Sequence, residues 1–161
     1  MSPKKNIYEK NYKRFFSFVD SRLFNLKSAY DLKNEILSIK NTPYMNLNIE
    51  IIGIYTPNNL IHVALNHTNC DNQLDPEMVI RISMENKTIE ALEITQLIGG
   101  TTKVYDDLYH SDPNKVGVNL KAKEDLNDFL KMWLTNIIEQ GFKLPYFKLE
   151  ELGYPELEEI E

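Results

Sequence analysis

Apolar and polar residues alternate along much of the chain between positions 47 and 95, and this pattern constrains the fold more than any other feature of the sequence. Successive side chains of a β-strand point to opposite faces, so a period of two indicates strands. The alternating runs cover residues 47–52, 61–66, 78–83 and 88–95, residues 102–105 are a candidate fifth strand, and residues 68–76 form a polar loop. Because short turns join most of these runs, we predict an antiparallel sheet of four to five strands.

The C-terminal part of the chain changes to the spacing of an amphipathic helix. Its apolar residues recur at intervals of three and four, at Leu126, Phe129, Leu130, Trp133, Leu134, Ile137 and Ile138. Asn119 is the predicted N-cap, and Gly141 is the predicted end of the helix. We expect this helix to cover one face of the sheet and to bury Trp133.

Further helices are predicted before the sheet. Residues 6–19 place apolar side chains on one side of a helix. Residues 28–40 also have helical spacing, with Ser28 and Asp31 in the positions of a capping box, and Thr42-Pro43 ends the segment. The predicted fold class is therefore α+β: an antiparallel sheet with N-terminal helices and one long C-terminal helix packed on it.

Length and composition indicate one soluble domain. The chain of 161 residues is 42% hydrophobic and 26% charged, which is ordinary for a globular protein. We assign residues 1–150 to a single α+β domain and residues 151–161 to an acidic C-terminal tail. No apolar run approaches the roughly 20 residues that span a bilayer, and no secretory signal is recognisable. The single cysteine excludes an intrachain disulfide, so we expect a cytoplasmic protein without a membrane partner.

The net charge of −6 conceals an asymmetry along the chain. Residues 1–40 carry nine Lys and Arg against four Asp and Glu, whereas residues 41–161 carry nine against twenty. Lys10, Lys13 and Arg14 are candidates for contact with an anionic surface, although a solvated helix face is the simpler interpretation. The acidic remainder argues against nucleic-acid binding.

Three segments, in order, resemble the YqiB-like proteobacterial family, whose members are uncharacterised. The first is Glu9-Lys10-Asn11-Tyr12 with Phe15 and Phe16 after it, and the second is Pro76-x-Met78-x-Ile80-Arg81 with Glu90 beyond. The third is Pro113-Asn114-Lys115, then Lys123, Asn127-x-Phe129-Leu130-x-x-Trp133-Leu134 and Gly141. Where that family has a His-Gln-x-Asp-Glu run, this chain has Val118-Asn119-Leu120-Lys121-Ala122. The resemblance implies a bacterial domain of unknown function and no particular chemistry at those positions.

Arg81 is the polar residue that the predicted sheet singles out. It lies between Ile80 and Ile82, on the opposite face of the strand from both. If that face is covered, the guanidinium needs a carboxylate, because a buried unpaired charge is costly. Glu90 and Glu93 lie on the next strand, so we predict a cross-strand ion pair with one of them. The alternative is a ligand-binding arginine, since Arg recognises carboxylate and phosphate in bidentate fashion.

A second group of candidate residues precedes the last helix. It contains Asp106, Asp107, His110 and Asp112. Carboxylates beside a histidine can form a general acid/base group or bind a divalent metal, although solvated loops contain the same residues. Asn114 and Lys115 follow in a proline turn that we expect to be structural, with ligand or partner binding as the alternative.

No motif predicts a metal or a cofactor. His62, His67 and Cys70 lie close together, but the odd separation of the two histidines places them on opposite faces of a strand. A structural zinc site needs four ligands. The Gly99-Gly100 turn lacks the spacing of a phosphate loop, and neither a nucleophile elbow nor a dinucleotide fingerprint is present. We therefore expect no metal and no cofactor.

The leading hypothesis for function is a non-enzymatic cytoplasmic module that binds a protein partner or a small anionic ligand, because no group of residues meets the standard of a catalytic site. The candidate binding residues are Arg81, Glu90, Asp107, His110, Asn114 and Lys115. The alternative is a small hydrolase or metal-assisted enzyme that uses Asp106, Asp107, His110 and Asp112. Carboxylates gathered around His110 would favour the enzyme, whereas an exposed apolar sheet face would favour the interaction module.

Overall fold

The protein is an α+β fold built on one antiparallel sheet. The computed structural model describes residues 3–56, 59–68, 74–106 and 117–147. Its elements are α1 (Pro3–Phe18), a short 3-10 helix (Ser21–Phe24), α2 (Leu26–Leu32), β1 (Ile36–Asn41), β2 (Tyr44–Tyr55), β3 (Leu60–Thr68), β4 (Leu74–Ser83), β5 (Thr88–Gln96), β6 (Gly100–Lys103) and α3 (Leu120–Glu139). The strands lie in the order β1-β2-β3-β4-β5-β6, each antiparallel to its neighbour. The predicted fold class is confirmed, but the sheet has six strands rather than four to five.

The additional strand comes from the segment predicted as a helix at residues 28–40. α2 ends at Leu32, and β1 pairs with β2. Leu37 and Ile39 are buried while their neighbours in β1 are exposed, which is the period of a half-buried strand. The apolar spacing fits either element, and pairing with the edge of β2 decides between them.

Several element boundaries also differ from the prediction. β3 continues to Thr68 and β4 begins at Leu74, so residues 68 and 74–76 of the predicted loop belong to strands. β6 occupies Gly100–Lys103 rather than residues 102–105. The cap of α2 is Asn25 and not Ser28: the Asn25 side chain accepts a hydrogen bond from the Ser28 backbone N–H. These shifts concern turns and caps, where several residue types compete for the same role.

The helices lie on one face of the sheet. α1 and α3 pack against each other and on β5, while α2 packs on β2. The core between the two layers includes Phe15, Phe24, Leu47, Ile49, Val63, Leu65, Ile80, Ile82, Leu130 and Leu134. Trp133 is 6% exposed, so its predicted burial is confirmed. None of the described helices is long and apolar enough to cross a membrane.

Both predicted ends of α3 are confirmed. The Asn119 side chain accepts a hydrogen bond from the Ala122 N–H, which satisfies one of the free amides of the first turn. The helix ends at Glu139 with Gln140 as its C-cap, and Gly141 follows with φ 87°, a conformation that favours glycine. Both ends of α3 are therefore defined by local capping.

The opposite face of the sheet carries polar side chains, and we call it the polar face. Asn48 Nδ2 donates to Asn66 Oδ1 at 2.9 Å, and Asn66 Nδ2 donates to Glu77 Oε2 at 3.2 Å, so this row crosses β2, β3 and β4. His62, Arg81 and Glu90 form a second row across β3, β4 and β5, because the register places them side by side. This second row contains the residues on which the candidate site is built.

Candidate functional site

Arg81 and Glu90 face each other directly across β4 and β5. Nη1 of Arg81 lies 3.2 Å from Oε1 of Glu90, and the side chains are 23% and 22% exposed. The predicted cross-strand ion pair is therefore present, with Glu90 as the partner. The register places Glu93 opposite Val79 instead.

The edge of the sheet brings α3 close to this pair. β6 pairs only with residues 93–96, so the first half of β5 has no strand beside it among the described residues. There the Asn127 side chain of α3 accepts a hydrogen bond from the Ala91 backbone N–H at 2.9 Å. Residues four apart share one face of a helix, so Lys123 also points towards β5, beside Glu90.

Tyr105 and Lys123 complete a group that we call the Glu90 cluster: His62, Arg81, Glu90, Tyr105 and Lys123. The Tyr105 hydroxyl donates to Glu90 Oε2 at 3.0 Å, and Lys123 Nζ donates to the Tyr105 hydroxyl oxygen at 3.3 Å. Lys123 Nζ is also 4.0 Å from Glu90 Oε2. The guanidinium carbon of Arg81 and Nζ of Lys123 lie 5.9 and 5.7 Å from the Tyr105 ring centroid, within cation–π range.

His62 is neutral in this cluster, and its tautomer follows from the contact with Arg81. Arg81 Nε donates to His62 Nε2 at 3.1 Å. Because a guanidinium has no acceptor, Nε2 must be unprotonated and the ring proton lies on Nδ1. Burial, and secondarily the charge of Arg81, lower the pKa of His62 to about 4.

Tyr55 covers His62 on the polar face. The two ring centroids are 4.6 Å apart. The Tyr55 ring also lies over Gly53, where a Cβ atom would come within 2.7 Å of Oη of Tyr55. A glycine at this bulge in β2 therefore allows the aromatic ring to shield the histidine.

Two tyrosines of the site stay protonated at neutral pH. Burial, and then the nearby charge of Glu90, raise the pKa of Tyr105 to about 12. Burial is also the main reason why the pKa of Tyr8 is raised, and Lys123 Nζ lies 5.8 Å from the centroid of its ring. The phenol of Tyr105 therefore acts as a hydrogen-bond donor to Glu90 and not as a base.

The Glu90 cluster carries an excess of one positive charge, since Arg81 and Lys123 share a single carboxylate and His62 is neutral. Arg81 uses Nε and Nη1 in its contacts, and in the described part of the chain no residue accepts a hydrogen bond from its Nη2. Such an arrangement can hold an oxyanion between a planar guanidinium and a lysine.

The structure does not describe most of the remaining candidate residues. Asp107, His110, Asp112, Asn114 and Lys115 lie outside the described residues, as does Cys70. Asp106 is described, and its Oδ1 accepts a hydrogen bond from the Gly117 N–H at 2.8 Å. Among residues 3–56, 59–68, 74–106 and 117–147, no three His, Cys, Asp or Glu side chains are grouped to hold a metal ion.

The two histidines lie on opposite faces of β3, as predicted, and the basic residues of α1 lie on its partly solvated side. His62 lies on the polar face, whereas His67 lies beside Trp133 on the helix-covered face, with ring centroids 5.6 Å apart. Lys10 and Lys13 are exposed on α1. Arg14 donates to the Asn11 side chain at 2.9 Å, so part of the basic face is bound within the helix.

Sequence reasoning did not identify His62, Tyr105 or Lys123 as members of the Glu90 cluster. The alternation of β3 and β4 could have placed His62 beside Arg81 if the strand register were known. Lys123 belongs to the resemblance segments, but its contact with Glu90 requires the crossing of α3 over β5. No local pattern distinguishes Tyr105 from the other tyrosines.

Comparison with known proteins identifies a family. No curated protein and no solved structure matches the chain. The model of a family described as "Domain of unknown function (DUF6908)" matches residues 17–143, a span that includes Arg81, Glu90, Tyr105 and Lys123. Kinship with the YqiB-like proteins remains a prediction. Because the match covers most of the sequence, the chain belongs to the DUF6908 family.

Proposed function

We propose that the protein is a non-enzymatic cytoplasmic module that binds a small anionic ligand at the Glu90 cluster. The observation that carries the proposal is the convergence of two cations, Arg81 and Lys123, on one carboxylate at a partly exposed position. The ligand class is an oxyanion such as a carboxylate or a phosphate, since these match the geometry of a guanidinium.

The available hydrogen-bond donors support an anionic ligand. Arg81 Nη2 has no acceptor in the described part of the chain, and Lys123 is 32% exposed. Binding of an anion here would offset the excess positive charge that Glu90 leaves. The hydrogen bond from Arg81 Nε to His62 orients the guanidinium, because it fixes the plane in which the two Nη atoms lie.

The protonation states of the cluster support binding rather than catalysis. A phenol with a pKa of about 12 is a poor general base at neutral pH, and a histidine with a pKa of about 4 is a weak base that stays neutral there. The alternative hypothesis of a small hydrolase that uses Asp106, Asp107, His110 and Asp112 stays a prediction.

The assignments of residues 1–150 to one domain and of residues 151–161 to an acidic tail belong to this proposal, as does a bacterial, YqiB-like origin. The resemblance segments support the latter, since they include Arg81, Glu90, Lys123 and Asn127. The cytoplasmic location is supported by the single cysteine.

The test is calorimetric titration of the protein with inorganic phosphate, acetate and citrate at constant ionic strength. We expect saturable binding of at least one anion to the parent protein and loss of that binding in Arg81→Gln. Lys103→Gln is the matched control, because it removes the same charge from an exposed position on β6 without touching the Glu90 cluster. Equal binding by Arg81→Gln and Lys103→Gln would contradict the proposal.

Glu90→Gln separates a ligand site from a purely structural ion pair. This variant keeps the shape of the side chain but removes the internal anion that competes for Arg81 and Lys123. We expect tighter anion binding in Glu90→Gln than in the parent protein. Absence of binding by both proteins at about 10 mM anion, about ten times a millimolar Kd, would show that the cluster only stabilises the fold.

A further inference from the structure

The two edges of the sheet are protected to different degrees. β1 has a register shift between Ile39 and Asn41, and the Asn41 side chain donates to the Gln140 backbone oxygen at the end of α3. Bulges and anchored ends of this kind block the addition of another strand. β6 has a continuous register with β5, its four residues are exposed, and no strand lies beyond it among the described residues.

Two residues of β6 direct their backbone N–H and C=O groups away from β5. The Val104 N–H donates to the Leu92 oxygen, so residues 100, 102 and 104 direct their backbone groups towards β5. Alternate residues of an antiparallel strand point their N–H and C=O groups in opposite directions. Thr101 and Lys103 therefore direct their backbone N–H and C=O groups away from β5, at the free edge.

Exposed apolar side chains lie near both ends of β6. Ile98, in the turn before β6, is 91% exposed. Leu120 and Val118 are 72% and 45% exposed, and Val118 forms a bridge with Tyr105 just beyond β6. A single exposed apolar residue needs no explanation, but three close to one unpaired strand indicate a surface that association would bury.

We infer that β6 pairs antiparallel with β6 of a second copy of this chain. In the register that places Thr102 beside itself, Thr101 of each copy lies opposite Lys103 of the other. All the outward N–H and C=O groups of Thr101 and Lys103 are then used, in four hydrogen bonds across the two-fold axis. The two six-stranded sheets become one continuous sheet with the helices of both copies on the same side.

The two-fold axis makes the edge self-complementary. Antiparallel pairing brings the Ile98 end of each copy to the end of the other copy that carries Val118 and Leu120. Lys103 is the charged residue of β6, and the register places it beside Thr101, so like charges are not opposed. A second copy would therefore pair the outward backbone groups of β6, cover the exposed apolar side chains and keep the two Lys103 side chains from facing each other.

The small size of the proposed interface indicates a weak dimer. The four residues of β6 and three apolar side chains from each copy amount to fewer than the roughly 20–30 residues per side of a standard interface. We therefore expect a dissociation constant in the micromolar range. The experiment is sedimentation velocity of the full chain from about 1 µM to about 500 µM, a range that spans such a constant.

The expected result is a concentration-dependent change from monomer to dimer, abolished by Ile98→Asp. Ile36→Asp is the matched control, since Ile36 is 65% exposed on the opposite edge strand, β1. Thr101→Pro is the second variant: it removes an outward N–H and the exposed side-chain hydrogen bond to Thr95 at 2.9 Å, but no backbone hydrogen bond to β5. It should therefore weaken the dimer while the circular dichroism spectrum is retained.

Three outcomes would overturn the inference. The first is a monomer over the whole concentration range. The second is a dimer that Ile98→Asp leaves unchanged. The third is a dimer that Ile36→Asp abolishes, which would place the contact on β1. Because none of these measurements involves an anion, they are independent of the ligand proposed for the Glu90 cluster.

Discussion

At the scale of single residues, Arg81 contacts both a charged carboxylate and a neutral histidine. One side of its guanidinium holds the carboxylate of Glu90, and Nε donates to a histidine that must remain neutral to accept. Protonation of His62 would remove the acceptor and place a second cation against Arg81. The row across β3, β4 and β5 is therefore sensitive to acid at His62.

His62 gives a pH dependence of stability with a definite sign. Its pKa is about 4 in the folded protein and about 6.5 in the unfolded chain, so the unfolded state binds more protons between these values. The stabilisation is fully present above about pH 6.5 and is lost as the pH falls towards 4. We expect the free energy of unfolding to decrease by about 1–3 kcal/mol from this group over that range.

The measurement is urea denaturation of the parent protein and of His62→Gln between about pH 7 and about pH 4. Glutamine keeps an acceptor for Arg81 Nε but does not titrate. The variant should therefore lose less stability on acidification than the parent. His67→Gln is a useful comparison, because burial also lowers the pKa of His67. Parallel pH profiles for the parent and His62→Gln would contradict the assignment.

At the scale of elements, one asparagine attaches α3 to the edge of β5. Asn127 is 2% exposed and lies within the apolar stripe of the helix. Its Oδ1 accepts from the Ala91 N–H, its Nδ2 donates to the Lys123 oxygen, and its own carbonyl accepts from the Asn11 side chain of α1 at 3.4 Å. Both long helices are thus tied to a backbone group of β5 that β6 does not reach.

Replacement of Asn127 by Ala should lower the free energy of unfolding by about 1–3 kcal/mol. The Ala91 N–H would lose its acceptor in a buried position, and a buried unsatisfied donor costs that amount. Chemical denaturation followed by circular dichroism measures the change. Asn136→Ala is the control, because Asn136 is exposed on the same helix and its loss should cost within about 0.5 kcal/mol. Equal effects of the two substitutions would show that Asn127 does not anchor the helix.

At the scale of the whole molecule, one hydrophobic core joins the helices to one face of the sheet, while hydrogen bonds and ion pairs organise the other face. Trp133 lies in the core, where its ring centroid is 5.6 Å from that of His67 and 6.0 Å from that of Phe129. The two layers are connected through large side chains of this kind. The polar face can therefore carry a charged cluster without weakening the contact between the helices and the sheet.

Trp133→Ala should cost about 3–5 kcal/mol, the usual range for truncation of a buried aromatic residue. Met132, the preceding residue of α3, is 52% exposed, so Met132→Ala should change stability by less than about 0.5 kcal/mol. Thermal and urea denaturation of both variants measure the difference. A loss below about 1 kcal/mol for Trp133→Ala would mean that the two layers do not depend on this residue.

The local pattern of the sequence determined the parts of the fold whose signals lie within a few residues. Alternation predicted β2 to β5, and helical spacing with Asn119 and Gly141 predicted α3 and both of its ends. Alternation and the short turn between the two strands also predicted an ion pair of Arg81 with Glu90 or Glu93, and the observed register selects Glu90.

Only the tertiary structure decided the identity of residues 36–41 and the composition of the Glu90 cluster. An apolar spacing compatible with both helix and strand became β1 because β2 offered an edge to pair with. Lys123 and Tyr105 reach Glu90 because α3 crosses β5 where β6 ends. Such contacts join residues far apart in the chain, and their geometry depends on how whole elements pack, which no local periodicity encodes.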